Sequence, residues 1–164
     1  MHKQVSSVLS AGGSPGKLAS FTSIVAGQGA NIRAIGGAES EGHGAVAMLV
    51  EDIDEQELVD VLNQNDFPST VLFAAEAVLD DQSGALATAC DLLAALDIQS
   101  ILVADTHLGK GLVSFGFASQ QEADDARALL GGLAVPEHTL TAAWAAHEAW
   151  DRANADSPPD PFNP

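Results

Sequence analysis

Basic residues are scarce in this sequence. The 164 residues include six lysines and arginines against 23 aspartates and glutamates, which gives a formal net charge of −17. A strongly negative chain repels phosphate backbones and acidic lipid headgroups. We therefore predict that neither nucleic acid nor a membrane surface is a partner. The acidity itself fits either solubility through self-repulsion or a salt-loving host.

Cysteine and long apolar runs are also nearly absent. The single cysteine, Cys90, cannot form an internal disulfide, and its apolar neighbours predict a small buried side chain rather than a nucleophile. No apolar run approaches the roughly 20 residues that a membrane helix needs. The N-terminal segment does not have the pattern of a signal peptide. We expect a soluble, cytoplasmic protein.

The sequence contains none of the common catalytic signatures. There is no phosphate-binding loop, no dinucleotide fingerprint, and no HExxH or CxxC pair. A metal site needs three or more ligands at defined spacing, and the histidines do not provide them. The one close acid–histidine pair of the repeat region, Asp105 and His107, is kept as a minor hypothesis of a small enzyme or metal-binding protein. We otherwise predict no catalytic residue, no metal and no cofactor.

Apolar periodicity predicts alternating helices and strands. Strand-like runs occupy residues 4–11, 31–38, 45–51, 69–79, 100–105 and 112–118. Helical spacing places Leu18, Phe21, Ile24 and Val25 on one face of a helix over residues 15–27. Two acidic capping boxes, at residues 54–57 and 119–122, open further helices. A fourth helix begins after residues 81–84, with Leu86 on its inward face.

The second half of the chain repeats the first. Gly16 and Gly84 lie 68 positions apart, and Val46 and Val113 lie 67 apart, so one residue of insertion or deletion aligns the two halves. The repeated order is βαββαβ, which is an α+β architecture. We divide the chain into a first unit of residues 1–78 and a second of residues 79–133. The strand of residues 69–79 is available to both.

The front of this repeat resembles the ACT domain, a small regulatory family. The resemblance rests on the turn Ser14-Pro15-Gly16, the helix that stops at Gly27 and Gly29, and the strand that begins Asn31-Ile32, and it extends over residues 4 to about 133. It implies two fused ferredoxin-like units whose sheets pair. A C-terminal helix over residues 134–153 and a disordered tail over 154–164 complete the predicted chain.

In that family the turn and the start of the second strand touch a small effector, usually an amino acid. The first candidate site follows by position. It consists of Gly13, Ser14, Pro15, Gly16, Lys17, Leu18, Asn31 and Ile32. The repeat supplies a second, which consists of Asp81, Ser83, Gly84, Leu86 and Gln99. The amides and the partial positive charge of a helix start suit a carboxylate.

We therefore expect a non-catalytic regulatory protein that binds an amino acid or a similar metabolite between ACT-like units and forms a homodimer. One alternative is an interaction subunit that binds a partner enzyme without a free effector. For that role the predicted C-terminal helix offers Trp144 and Trp150. The other is the minor hypothesis of Asp105 and His107.

Overall fold

The computed structural model of this protein describes residues 3–9, 16–40, 43–106 and 110–133. The strands are β1 (Lys3–Leu9), β2 (Asn31–Ser40), β3 (His43–Glu51), β4 (Ser69–Asp80), β5 (Ser100–Thr106) and β6 (Lys110–Phe117). The helices are α1 (Lys17–Gly27), α2 (Glu55–Gln64), α3 (Ala85–Leu92) and α4 (Gln120–Leu130), and a 3-10 turn follows at Gly131–Leu133. None of these helices is long and apolar enough to cross a membrane. The predicted C-terminal helix and tail lie outside the described residues.

The strands form one antiparallel sheet in the order β2-β3-β1-β4-β6-β5. β4 joins its two parts, because Ser69–Phe73 pair with β1 and Phe73–Asp80 pair with β6. Two complete βαββαβ units would supply four strands each, whereas the described residues contain six. β4 is thus the last strand of a first half, with α1 and α2, and the first strand of a second half, with α3 and α4.

The outer face of the sheet is covered by the helices in two apolar clusters. In the first half, Val5 and Met48 of the sheet pack with Phe21 of α1 and Leu58 of α2. In the second half, the corresponding cluster contains Ala75, Phe115, Leu93 and Leu130 together with other buried residues. Alternate residues of the four inner strands, β1, β3, β4 and β6, therefore point outward to a helix.

The inner face is also buried, because the sheet curls until its two edge strands meet. Leu49, Leu72, Leu102 and Leu112 alternate with the outward residues, and each is at most 5% exposed. Leu102 of β5 reaches across to β2, where a Cβ at Gly36 would lie 3.2 Å from its Cδ2 atom. We call the line where β2 and β5 meet the seam.

One buried glutamine ties the inner face together. Gln4 of β1 is fully buried, and its Nε2 donates to the carbonyl oxygen of Ser114 at 3.1 Å and to its Oγ at 2.8 Å. Its Oε1 accepts a hydrogen bond from Ser100 Oγ at 2.5 Å. The amide is satisfied at both ends, as a buried polar group must be. It links β1 to β6 and β5 across the interior.

Gly116→Ala tests how tightly this interior is packed. A Cβ there would meet Ser100 Oγ, and it would lie 2.8 Å from Gln4 Oε1 and 3.1 Å from Leu72 Cδ1. We expect the free energy of unfolding to fall by about 1–3 kcal/mol, the usual cost of overpacking, measured by urea titration. Gly111→Ala on the same strand meets nothing within 4 Å and is the matched control. Equal urea midpoints for the two variants would contradict the packing described above.

Candidate functional site

Helices α1 and α3 begin in the same unusual way. Gly16 precedes α1 with φ 92° and ψ −4°, and Gly84 precedes α3 with φ 90° and ψ −10°. Glycine adopts this left-handed conformation without the steric cost that a Cβ brings. The two glycines are the pair that the sequence repeat aligned, so the repeat extends to the backbone conformation.

Neither of these helix starts is capped by a side chain, whereas the other two helices are. Asp54 accepts hydrogen bonds from the amides of Gln56 and Glu57 at the start of α2. Ser119 and Glu122 form a reciprocal capping box at the start of α4. The predicted caps are thus present, although the reciprocal bond occurs only at α4. Uncapped helix starts leave amides and a partial positive charge for another acceptor.

The first turn is described only from Gly16 onward, so Gly13, Ser14 and Pro15 lie outside the described residues. Lys17 is half-buried, with its Nζ 5.6 Å from the centre of the Phe67 ring. Leu18 was expected on the buried face of α1, but its side chain is 51% exposed. The buried residues of α1 are Phe21 and Val25.

The second turn is described completely. Asp80 forms an ion pair with Lys110, Oδ1 to Nζ 2.6 Å, which joins the end of β4 to the start of β6. Asp81 and Ser83 are exposed. Leu86 corresponds to Leu18 in the repeat, and it is likewise exposed, at 41%, rather than inward-facing. Both helix starts therefore present a leucine to solvent.

The strand starts carry the remaining candidate residues. Asn31 is exposed and opposite Glu51 of β3, while Ile32 is half-buried against the first cluster. Gln99 immediately precedes β5, and its side chain donates to Asp97 Oδ2 at 2.8 Å. Its backbone amide donates to the Gly116 carbonyl at 2.9 Å.

Arg33, a half-buried residue two positions beyond Asn31, is not among the residues predicted from the sequence. Its Nε lies 2.5 Å from Glu51 Oε2, so it places a cation next to Asn31. The chain has only six lysines and arginines, so a basic residue two positions from Asn31 could have been identified from the sequence as a candidate for binding an anion.

Within each half, the turn and the strand start lie at opposite ends of the sheet. β1 and β2 are both antiparallel to β3, so they are parallel to each other. α1 returns the chain from the end of β1 to the start of β2. Gly16 therefore lies at the opposite end from Asn31. The same argument separates Gly84 from Gln99, because β4 and β5 are both antiparallel to β6.

Across the seam, each end of the sheet carries candidate residues from both halves. Strand directions alternate along the sheet, so β2 and β5 run in opposite directions where they meet. The start of β2, at Asn31, shares its end with Thr106 of β5, which pairs with Lys110 next to Asp80. By the same geometry, Gln99 shares its end with Leu9 of β1 and with Gly16. Each end thus combines a turn from one half with a strand start from the other.

The minor hypothesis of a metal or enzymatic site at Asp105 and His107 is not tested by the described residues. His107 lies outside them, and the side chain of Asp105 is not described. Among the residues that the structure describes, no group of three or more histidines, cysteines, aspartates or glutamates could hold a metal ion. Cys90 is half-buried and packs against the second cluster.

Comparison with known proteins identifies the fold. No protein-family model matches the sequence, and no curated protein matches it. Among solved structures, a protein of Bacteroides thetaiotaomicron has 20% identity and a TM-score of 0.58, over 76% of this chain and 84% of that one. The ligand-free regulatory subunit of aspartate kinase from Thermus thermophilus has 14% identity and a TM-score of 0.56, over 79% of this chain and 93% of that one. The Thermus flavus counterpart has 14% identity and a TM-score of 0.55, over 79% and 93%.

These similarities confirm the resemblance to ACT-domain regulatory proteins at the level of the fold. The fold is a mixed α+β architecture with a six-stranded antiparallel sheet and four helices in the described residues. Sequence identities of 14–20% show a similarity of fold alone, because one fold can host many functions.

Gly84→Ala tests whether the turn depends on the left-handed glycine. We expect the variant to lose about 1–2 kcal/mol of unfolding free energy, because a Cβ is strained at φ 90°. Gly27→Ala is the matched control. Gly27 has no positive φ, and a Cβ there meets nothing within 4 Å. It should leave stability unchanged or raise it, since alanine favours the helix. Equal losses in the two variants would show that φ is not the cause.

Proposed function

We propose that this protein is a non-catalytic regulator that binds an amino acid or a similar small metabolite at the two ends of the seam. The observation that carries the proposal is the pair of uncapped helix starts, each preceded by a left-handed glycine. Four helices start within the described residues, and only the two related by the repeat have this form. Such a start suits the carboxylate of an amino acid.

The proposed sites are crosswise. The first combines the start of α1 with Gln99, and the second combines residues 80–86 with Asn31 and Ile32. The second site has the better chemistry for a zwitterion. The uncapped start of α3 offers backbone amides to the carboxylate of the ligand. Asp81 offers its own carboxylate to the ligand's ammonium group, and the Asn31 side chain offers both a donor and an acceptor. The first turn contains no acidic residue between Gly13 and Leu18.

Regulation follows from the position of the sites. A ligand that contacts both halves favours the arrangement in which both sets of contacts can form. It shifts the population by its difference in affinity between the two arrangements. A partner protein that binds the two arrangements with different affinities would respond to this shift in population.

The solved structures support a regulatory role. The Thermus thermophilus protein is itself a regulatory subunit, and the match extends over 93% of it. This favours, as the second candidate function, a subunit that binds a partner enzyme without a free effector. Association of two copies belongs to the same proposal. A cytoplasmic location remains a prediction from sequence.

Thermal unfolding against the twenty amino acids, each at millimolar concentration, tests the effector proposal. A ligand at 100 times its Kd stabilises by about 2.7 kcal/mol, which corresponds to roughly 5–10 °C in Tm. We expect at least one ligand to give such a shift. Asn31→Ala should reduce it. Gln28→Ala removes an exposed amide three residues earlier and should leave it unchanged. A flat panel would reject the effector proposal and favour the partner-binding subunit.

A double-mutant cycle on ligand affinity tests the crosswise arrangement. Asn31→Ala and Ser83→Ala change the same proposed site, so their effects should be coupled by about 0.5 kcal/mol or more. Asn31→Ala and Gln99→Ala change different sites, so their effects should add. Calorimetric Kd values for the single and double variants measure both couplings. Coupling of Asn31 with Gln99 but not with Ser83 would overturn the arrangement.

A further inference from the structure

The seam differs from the contacts between neighbouring strands of the sheet. β2 and β5 stand at the two ends of the hydrogen-bonded strand order, so no ladder of the described residues joins them. They meet through side chains, with Leu102 against the backbone of Gly36. Separating them would break no hydrogen-bonded strand pair.

The outer side of the seam is open to solvent. Ile35 of β2 is 46% exposed, and Ile101 and Val103 of β5 are 43% and 62% exposed. Outward residues elsewhere in the sheet, such as Met48 and Phe115, are fully buried under helices. The helices therefore pack on the strands within each half but leave these three seam residues exposed.

The inner side of the seam is held by the Gln4 amide. Its Oε1 accepts from Ser100 Oγ of β5, while its Nε2 bonds Ser114 of β6. β5 is thereby tied to the centre of the sheet from the inside. If β5 moved away from β2, the Ser100 bond would break and the interior around Gln4 would meet water.

We infer that the seam is the movable contact of this sheet and that Gln4 is the positioning residue that holds it closed. Opening the seam separates β2 from β5 while every strand pair stays intact. Where the proposed function holds, this motion is also the regulatory step. Each proposed site has one part on β2 or β5 and the other across the seam, so opening the seam pulls both sites apart.

Thiol labelling at two adjacent positions of β4 measures this opening. Ala74 lies on the inner face and Ala75 faces the second cluster, and they are 1% and 0% exposed. Each is changed to cysteine in a Cys90→Ala chain, and the rate of reaction with a thiol reagent is followed against urea. Residue type, strand and burial are matched, so the two variants differ in the face that the thiol occupies.

Seam opening exposes the inner face without global unfolding. We expect A74C to react at least about tenfold faster than A75C without denaturant, with a weaker dependence on urea, as local opening gives. Equal rates with the full urea dependence of global unfolding would overturn the inference. If either variant fails to fold, Leu112→Cys on the inner face and Val113→Cys on the outer face of β6 form the second pair.

Gln4→Met in the A74C chain tests the tie. If the Gln4 hydrogen bonds break when the seam opens, their loss in the variant favours the open and the unfolded states equally. The labelling rate at position 74 then rises by the same factor as the unfolding equilibrium constant from urea titration. If Gln4 only stabilises the fold, the unfolding constant rises while labelling at position 74 stays unchanged. The second result would exclude Gln4 as the residue that holds the seam.

The last labelling experiment adds an amino-acid effector. An amino acid that raises Tm should slow labelling at position 74 by the factor expected from its occupancy. Stabilisation without slower labelling would separate the ligand from the seam. An amino-acid panel without any shift would remove the proposed function, and the labelling rates in the absence of ligand would still decide whether the seam opens.

Discussion

Strand β4 is the constraint on which the rest of the structure depends. It pairs with β1 over Ser69–Phe73 and with β6 over Phe73–Asp80, so neither half has a sheet of its own. A half of about 65 residues buries too little surface for robust stability. Sharing β4 joins the two outer clusters through one backbone and brings the inner faces together. The same sharing leaves β2 and β5 as edges, and it is this that creates the seam.

Local features of this fold could be predicted from the sequence. Helix starts, caps and glycine turns depend on neighbouring residues, so Gly16, Gly84, Asp54 and Ser119 indicated their roles. The curl of the sheet could not be predicted, because it rests on contacts about a hundred residues apart. Gln4 sits in a strand-like run with no signal that it would bond Ser100 and Ser114.

The candidate site shows the same division. Its residue types and turns followed from the repeat, but their grouping depended on strand direction. Parallel β1 and β2 place Gly16 and Asn31 at opposite ends, and the antiparallel seam places the turn of one half at the same end as the strand start of the other. Leu18 and Leu86 have helical spacing with buried residues, yet both lie in the first turn of a helix. There the sheet does not cover them, and they are exposed.

The two ends of the seam share a backbone but not a chemistry. Asp80, Asp81 and Lys110 surround the second turn, whereas the described part of the first turn has only Lys17, whose charge lies over the Phe67 ring. A zwitterion therefore has a stronger match at the second end. Under the proposed function, both ends lie on one seam, so a ligand at the second end alone would fix the contact on which the first also depends. On that proposal, loss of one site would leave the coupling through the seam in place.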